Sequence, residues 1–394
     1  MSQARENWRL YIDGKWWAGE GGPDRKVINP ATGAAFAQVP EASVAQAQAA
    51  VEAAHRAQPA WGRRAPIERA RIMRQIAALI RRDAETLARL VVAEQGKPIL
   101  EARGEVAGAA EFFEFYAEYA RRIQGEILPS DFAEEQIWIQ RVPIGVVVGI
   151  IPWNYPAALV SRKVAPAMIA GNAIVLKPHE LTPLSALHMA RLFAEAEVPA
   201  GVVNIITGAG STVGEALCGS PEVDLVTMTG SVPAGRRIMT VAATNLTQVS
   251  LELGGKAPFI VMADADLDLA VRSAVTSRFM NCGQVCICNE RTLVEAPIFD
   301  EFVARFIEET KKLRIGDPMR EDTDIGPKMS EKEREKVDAL VADAVSDGAH
   351  VALEGGRPKN PHTSLDPGQR PPSTSPPATL VDPFTTTTNN GNGP

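Results

Sequence analysis

A short segment of the chain holds three of its four cysteines, Cys282, Cys286 and Cys288. A cysteine thiol can serve as a nucleophile, a metal ligand or a disulfide partner. The spacing C-x3-C-x-C is not a usual zinc pattern and no histidine lies nearby, so we predict no metal site. In the reducing compartment that we expect for this chain, a disulfide framework is not predicted either. The alternative to a reactive thiol is an ordinary buried one.

Glu252 is the second residue of chemical interest. It lies between Leu251 and Leu253, directly before a glycine pair, in the segment LELGGK (251–256). A carboxyl group that is partly buried has a raised pKa and can act as a general base near neutral pH. We therefore predict partial burial and a base at this position. The alternative is an ion pair between Glu252 and Lys256 at the end of a strand.

Four further short segments carry polar or glycine residues that could contact a nucleotide: PWNYP (152–156), KPHE (177–180), GAG (208–210) and TGS (229–231). Lys177 and Glu180 offer a cation and a carboxylate to a ribose. Ser231 starts a helix, where free N–H groups can hold a phosphate, although it could equally be only an N-cap. Each segment alone is a weak signal. GAG is not the G-x-G-x-x-G fingerprint, and Asn154 between two prolines is a common turn residue.

These segments, and Glu252, fall at the ends of apolar, β-rich runs: 144–151, 173–177, 202–206, 224–228 and 247–253. Helix-like stretches lie between the runs. Apolar strands that alternate with helices are typical of βαβ units, which form a doubly wound parallel sheet covered on both faces. Ligands of such sheets bind beyond the carboxyl ends of the strands. We therefore predict an α/β fold with a dinucleotide site at this edge.

The length of 394 residues exceeds what one hydrophobic core usually fills, so two domains are expected. We assign residues 1–253 to an N-terminal region, helical at 43–57 and 66–122, and the dinucleotide-binding domain. Residues 254–356 are predicted to form a partial catalytic domain of strands and helices. Residues 357–394 are rich in Pro and Thr and bury too little surface to order, so we predict a disordered or aberrant tail.

The composition narrows the classes of function. The formal net charge of -7 gives no attraction to nucleic acid or to an anionic membrane surface. The apolar run 142–153 is broken by Pro143 and is too short for a membrane helix, which needs about 20 residues. The first residues are polar and do not resemble a signal peptide. We therefore expect a cytoplasmic protein with no nucleic-acid or membrane partner.

Five segments resemble the NAD(P)-dependent aldehyde dehydrogenase superfamily in their order and separations: PWNYP, KPHE, TGS, LELGGK and FMNCGQVC (279–286). The resemblance runs from about residue 9 to about 356. The resemblance implies that Cys286 is the nucleophile. Its thiolate would attack a small aldehyde to give a thiohemiacetal, which becomes a thioester when hydride leaves. Asn154 and the Cys286 N–H would hold the oxyanion, and Glu252 would activate the water that releases the acid.

The resemblance also implies an NAD site. Its expected residues are Ile151, Trp153, Lys177, Glu180, Gly210, Gly230, Ser231 and Leu253, and Lys163 matches a second lysine near the nucleotide. Glu180 is expected to accept hydrogen bonds from both ribose hydroxyls. A carboxylate there repels a 2′-phosphate, so NAD is favoured over NADP.

Within the superfamily the chain is most similar to the lactaldehyde and glycolaldehyde group, and next to succinate-semialdehyde dehydrogenases. Arg162 matches an arginine that contacts short polar substrates in both, with a helix-surface ion pair as the alternative. Succinate-semialdehyde enzymes commonly carry a second arginine where this chain has Met280. Its absence removes a charge-assisted bond worth roughly 1.5–3 kcal/mol, so a small hydroxyaldehyde is favoured.

The family continues for roughly another hundred residues with an E-x-F-G-P motif and a strand that pairs between subunits, a length implied by the resemblance. We interpret the tail as a truncated or frameshifted end, and expect weak NAD binding and poor homo-oligomerisation. Two alternatives to a hydroxyaldehyde dehydrogenase remain: a succinate-semialdehyde dehydrogenase, or a catalytically impaired NAD-binding fragment. A CoA-acylating relative is disfavoured by the presence of Glu252.

Overall fold

The computed structural model describes residues 7–355 and 379–381 of the chain. Its strands are β1 Leu10–Ile12, β2 Lys15–Trp17, β3 Arg25–Ile28, β4 Ala35–Val39, β5 Glu126–Pro129, β6 Gln136–Ile139, β7 Val146–Ile150, β8 Ala173–Lys177, β9 Val203–Ile205, β10 Leu225–Gly230, β11 Gln248–Leu253, β12 Ala257–Val261, β13 Asn289–Val294, β14 His350–Leu353 and β15 Thr379–Val381.

The α-helices are α1 Val44–Arg63, α2 Pro66–Arg82, α3 Ala84–Gln95, α4 Ile99–Ala117, α5 Pro156–Ala170, α6 Leu184–Glu195, α7 Glu215–Cys218, α8 Val232–Ala242, α9 Leu267–Phe279, α10 Phe299–Thr310 and α11 Glu331–Ser346. A π-helical turn covers Gly210–Gly214. Short 3-10 turns cover Glu118–Arg121, Ala243–Asn245, Met280–Gly283 and Ala296–Ile298.

The chain divides into two compact units. The first consists of Met1–Ile28, Ala35–Gln95 and Ala102–Leu253, and the second of Asn29–Ala34, Gly96–Glu101 and Gly254–Pro394. The two short segments of the second unit fall inside the range predicted for the first domain. Segment 96–101 belongs to the second unit because it bonds within it: the Ile99 N–H donates to the Pro318 carbonyl oxygen at 2.8 Å.

The first unit is built on a seven-stranded sheet in the order β11-β10-β7-β8-β9-β1-β2. The five strands from β11 to β9 are parallel, and β1 and β2 add antiparallel at one edge. Residues of β7, β8 and β9 are almost all buried, because helices cover both faces of these apolar strands. The predicted doubly wound parallel sheet is confirmed, and all five predicted strands form.

Side chains of the sheet divide between two helical layers according to the two-residue period of a strand. Alternate residues such as Val146, Val148 and Met228 join a core with α1, α7 and α8. Their neighbours in sequence point to the opposite face. On that face lies α5, where Lys163 donates a hydrogen bond from its Nζ to Thr227 of β10. The face of the sheet on which a side chain lies therefore depends on whether its position along the strand is odd or even.

The second unit contains a parallel pair, β12 and β13, connected through α9. Its core gathers around Val261, Val275, Phe279, Phe302 and Phe306, which come from β12, α9 and α10. The region predicted to form a partial catalytic domain of strands and helices thus contains both kinds of element. The strand β14 pairs antiparallel with β15, which lies inside the predicted tail. The other residues of the predicted tail lie outside the described part of the chain. The expectation that the E-x-F-G-P motif is missing falls on those residues too.

Within 7–355 and 379–381, no helix is both long and apolar enough to cross a bilayer. In the same residues, no three or more His, Cys, Asp or Glu side chains gather in a group that could hold a metal ion.

Candidate functional site

The carboxyl ends of β7 and β10 lie side by side in the sheet of the first unit. The chain runs from β7 to one side of the sheet and later returns to the other, so these ends mark the switch point at which doubly wound sheets bind ligands. Ile151 and Trp153 follow β7, Gly230 ends β10, and Ser231 follows it. The structure thus brings four predicted cofactor residues to one edge.

Ser231 begins α8 as its N-cap. Its Oγ accepts a hydrogen bond from the Ala234 N–H at 3.4 Å, and its backbone is extended, as N-cap residues are. The capping role that the sequence left open is confirmed. Ser231 is also exposed, so its hydroxyl and the start of α8 can be reached from solvent. A phosphate contact at this helix start stays a prediction.

Lys177 is the last residue of β8 and is only 4% exposed. Its Nζ donates a hydrogen bond to the Pro178 carbonyl oxygen at 3.2 Å. Burial lowers the pKa of Lys177, while the nearby carboxylates of Glu180 and Glu41 oppose that change. A buried lysine at the end of a central strand is costly, and a hydroxyl ligand would give its ammonium group a further acceptor.

Glu180 is held by two groups. Its Oε1 accepts a hydrogen bond from the Gly210 N–H at 2.7 Å, and its Oε2 lies 3.6 Å from the Nη1 of Arg25. Arg25 in turn donates from its Nε to Glu41 at 2.6 Å. Two predicted cofactor residues, Glu180 and Gly210, are therefore in contact. Arg25 was not predicted, because it comes from a distant hairpin and no local pattern marks it.

Lys163 lies in α5 beneath the sheet and is largely buried. Its Nζ donates to the Thr227 Oγ1 at 2.7 Å. Burial lowers the pKa of Lys163 to about 8, and the Glu252 carboxylate partly opposes this by favouring the charged amine. Lys163 and Glu252 are thus electrostatically coupled on one face of the sheet. Arg162, its neighbour in sequence, disfavours the charged amine.

The prediction that Glu252 is partly buried is wrong. Its side chain is exposed, while Leu251 and Leu253 are partly buried and pack against the core on the other face of the sheet. Adjacent residues of a strand point to opposite faces, so apolar neighbours in sequence do not enclose the residue between them. The alternative ion pair is also wrong, because Lys256 pairs with Glu290 in the second unit.

Three other predicted residues have defined surroundings in the first unit. Leu253 ends β11 and packs so closely on α8 that a Cβ at Gly235 would lie 2.8 Å from its Cδ2. Asn154 lies in the bend between β7 and α5 and is partly buried. The guanidinium of Arg162 stacks over the Phe112 ring at 4.9 Å, a cation–π contact in place of the ion pair considered as its alternative.

The second unit holds the cysteine segment between α9 and β13. Asn281 and Cys282 adopt the left-handed backbone conformation, with φ of 49° and 56°, which is unfavourable for residues other than glycine. Three hydrogen bonds fix this segment: Asn281 N–H to Glu101 Oε2 at 2.8 Å, Lys328 Nζ to Cys282 O at 2.7 Å, and Gln284 Nε2 to Asn281 O at 2.9 Å.

The four cysteines differ in their access to solvent. Cys286 is exposed, whereas Cys218, Cys282 and Cys288 are buried. Burial raises the pKa of the Cys282 thiol, and it raises the pKa of Cys218 to about 12. Cys218 and Cys282 are therefore poor nucleophiles at neutral pH. Cys286 alone of the four is placed to react with a solute.

A cavity of about 420 Å³ lies in the second unit, lined by Arg272, Ser273, Thr276, Ser277, Met280, Val285, Ile287 and Cys288. Val285 and Ile287 flank the predicted nucleophile in sequence. Arg272 of α9 and Met280, which directly follows that helix, line the cavity together. Arg272 was not predicted, because none of the motifs contains it.

The sequence matches the model of the family described as "Aldehyde dehydrogenase family" over residues 16–368. It is 46% identical over 349 residues to a lactaldehyde dehydrogenase of Escherichia coli (strain K12), covering 88% of this chain and 72% of that protein. It is 43% identical over 344 residues to a succinate-semialdehyde dehydrogenase [NADP(+)] of the same strain, covering 87% of this chain and 71% of that protein.

Solved structures agree with the fold. The lactaldehyde dehydrogenase from Escherichia coli superposes with a TM-score of 0.90 at 43% identity, covering 95% of this chain and 77% of that one. A betaine aldehyde dehydrogenase from Staphylococcus aureus in complex with NAD+ superposes with a TM-score of 0.87 at 37% identity, covering 90% and 70%. The α/β architecture of this chain is thus that of these enzymes.

The difference in burial predicts selective alkylation. With limiting iodoacetamide at pH 7.5, the native chain should take up about one equivalent of label, on Cys286, because the other three thiols are buried. Peptide mass mapping of labelled wild type and Cys286→Ser measures this. The variant should stay unlabelled over the same period. Labelling of Cys282 or Cys288 at a rate similar to that of Cys286 would contradict the assignment.

Proposed function

The chain belongs to the aldehyde dehydrogenase family, and we propose that it oxidises a small aldehyde to its carboxylic acid with NAD, using Cys286 as the nucleophile. The observation that carries the proposal is the exposed Cys286 thiol: its sequence neighbours Val285 and Ile287 line a cavity, and the other three thiols are buried. The family and the two relatives described above are named as dehydrogenases of aldehydes. The residue roles below are those that the motifs imply, assigned to this chain.

The proposed chemistry begins with the Cys286 thiolate. It attacks the aldehyde carbon, and the C=O electron pair moves to oxygen to give a thiohemiacetal oxyanion. The Asn154 side-chain amide and the Cys286 N–H donate hydrogen bonds to that oxygen. A bound nicotinamide cofactor would supply the acceptor for the hydride that leaves this carbon, and a thioester on Cys286 would remain. Glu252, exposed on β11, removes a proton from the water that attacks the thioester.

The first unit offers a suitable site for the cofactor. Four proposed contacts, Ile151, Trp153, Gly230 and Ser231, lie at the switch point of the sheet. The start of α8 presents N–H groups of the kind that bind phosphate oxygens. Lys177, buried at the adjacent strand end, and Glu180 supply a donor and an acceptor of the kind that ribose hydroxyls require. This donor set fits a dinucleotide.

We propose NAD as the preferred cofactor because Glu180 places a carboxylate where a 2′-phosphate would carry negative charge. Arg25 weakens this discrimination, since its guanidinium lies 3.6 Å from the Glu180 Oε2 and offsets part of its charge. The pairing of Arg25 with Glu41 limits that effect. The balance favours NAD without a strict exclusion of NADP.

For the substrate we propose a small hydroxyaldehyde. Met280 lines this cavity, at the position where an arginine commonly binds the far carboxylate of a dicarboxylic semialdehyde. A methionine leaves such a carboxylate without its charge-assisted partner, a loss of roughly 1.5–3 kcal/mol. The similarity to a lactaldehyde dehydrogenase supports the same choice.

One observation favours a second candidate, a semialdehyde that carries an anionic group. Arg272 lines the same cavity as Met280 and has no ion-pair partner among the described residues. An unpaired guanidinium in a cavity is a binding group for a carboxylate. The similarity to a succinate-semialdehyde dehydrogenase points the same way. The position of Arg272, two turns before Met280, would suit a longer substrate.

Rapid mixing with NAD and lactaldehyde, followed by NADH absorbance, tests the reaction. Cys286→Ser should form no NADH. Glu252→Gln should release about one equivalent per chain and then nearly stop, because the thioester forms but is not hydrolysed. Glu222→Gln, a partly exposed carboxylate before β10, is the matched control and should turn over as wild type does. NADH formation by Cys286→Ser would refute the proposal, and a wild type that forms none would indicate an impaired fragment.

The substrate choice is tested by kcat/KM for lactaldehyde, glycolaldehyde and succinate semialdehyde with the wild type. A hydroxyaldehyde should exceed succinate semialdehyde by about tenfold or more, the factor that a missing bond of this strength gives. The second candidate would be established instead by two results. Succinate semialdehyde would have the higher kcat/KM in the wild type, and Arg272→Gln would lower kcat/KM for succinate semialdehyde alone. Arg236 is exposed on α8, so Arg236→Gln serves as the control for the loss of one positive charge.

A further inference from the structure

Helix α5 begins without a cap of its own. Tyr155 occupies the N-cap position and makes no side-chain cap hydrogen bond, and Pro156, the first helical residue, has no N–H. The first N–H groups that need an acceptor are those of Ala157 and Ala158. Unsatisfied donors at a buried helix start cost about 1–3 kcal/mol each, so an acceptor must come from elsewhere in the fold.

Glu105 of α4 supplies that acceptor. Its Oε1 accepts hydrogen bonds from the Ala157 N–H at 2.8 Å and the Ala158 N–H at 3.1 Å. Glu105 is buried, at 6% exposure, and Ala157 is fully buried. A carboxylate at a helix N-terminus also interacts favourably with the helix dipole. One side chain from a distant helix thus fixes the backbone at which α5 starts.

Asn154 lies three residues before Ala157. Between them stand only Tyr155 and Pro156, and the proline ring fixes its own φ. The position of the Asn154 amide is therefore tied to the first turn of α5, and that turn to Glu105. We propose that Glu105 is a positioning residue for the oxyanion donor Asn154. This inference rests on the proposed function, because it assigns to Glu105 the alignment of a donor that the proposed reaction uses.

The same fold contains a matched control. Helix α6 likewise starts without a side-chain cap of its own, after Pro183. Glu94 of α3 accepts from the Leu184 N–H at 2.7 Å and from the Ser185 N–H at 2.9 Å, and it is fully buried. The side-chain carboxyl groups of Glu105 and Glu94 perform the same capping task in the same unit. Only the Glu105 cap lies next to the proposed oxyanion donor, so the pair separates positioning from stability.

The test compares Glu105→Ala, Glu105→Gln and Glu94→Ala by kcat, by the NAD dissociation constant and by urea unfolding. Glu105→Ala should lower kcat about tenfold or more, since a displaced oxyanion donor forfeits much of its hundredfold contribution. The NAD dissociation constant should stay within about twofold of wild type. Glu105→Gln keeps an acceptor and should recover part of kcat. If Glu105→Ala does not fold, the kcat of Glu105→Gln is compared with that of the wild type in its place.

A double variant decides whether Glu105 acts through Asn154. In an Asn154→Ala background the further loss of kcat from changing Glu105 should fall below about twofold, because no donor remains to position. The inference would be overturned if changing Glu105 lowered kcat in the Asn154→Ala background by the same factor as in the wild type. It would also be overturned if Glu94→Ala lowered kcat as much as Glu105→Ala. A wild type that oxidises no aldehyde would instead refute the proposed function, and this role of Glu105 with it.

Discussion

Parallel strands that are buried on both faces must all end at the same edge of their sheet, and the first unit depends on this constraint. Helices cover β7, β8 and β9 on both sides, so a polar side chain within these strands needs an internal partner, as Asn204 has in the Gly201 carbonyl oxygen. Polar groups that bind a ligand are expected where the strands stop. Lys177, Glu180, Gly230 and Ser231 all follow or end strands at that edge. The placement of the proposed site is thus a consequence of how the sheet is buried.

Buried charge near this edge is stabilised by specific partners. Lys163 donates to Thr227 and lies in the field of Glu252, and burial still lowers its pKa to about 8. Glu94 shows the opposite case: burial raises the pKa of its carboxyl group to about 8 although several donors oppose this. Such groups are expensive to bury and do little for stability by themselves. Their cost is offset where they satisfy backbone or ligand groups that have no other partner.

The sequence was sufficient for the strands, the switch point and the order of the motifs, because these depend on local periodicity. It failed where the outcome depends on which side of a strand faces a helix. Glu252 was expected to be partly buried between two leucines, yet those leucines face α8 and Glu252 faces away from them. Arg25 and Glu105 were not foreseen, because each contact joins residues far apart in the chain and leaves no local pattern.

The account rests most directly on a covalent thioester at Cys286 that Glu252 helps to hydrolyse. Acid-quenched mass spectrometry of Glu252→Gln, mixed with NAD and lactaldehyde, measures that intermediate. The chain should gain the mass of one acyl group, the adduct should map to the peptide that contains Cys286, and hydroxylamine should remove it. An adduct on Cys282 or Cys288, or formation of NADH with no adduct at all, would contradict the account.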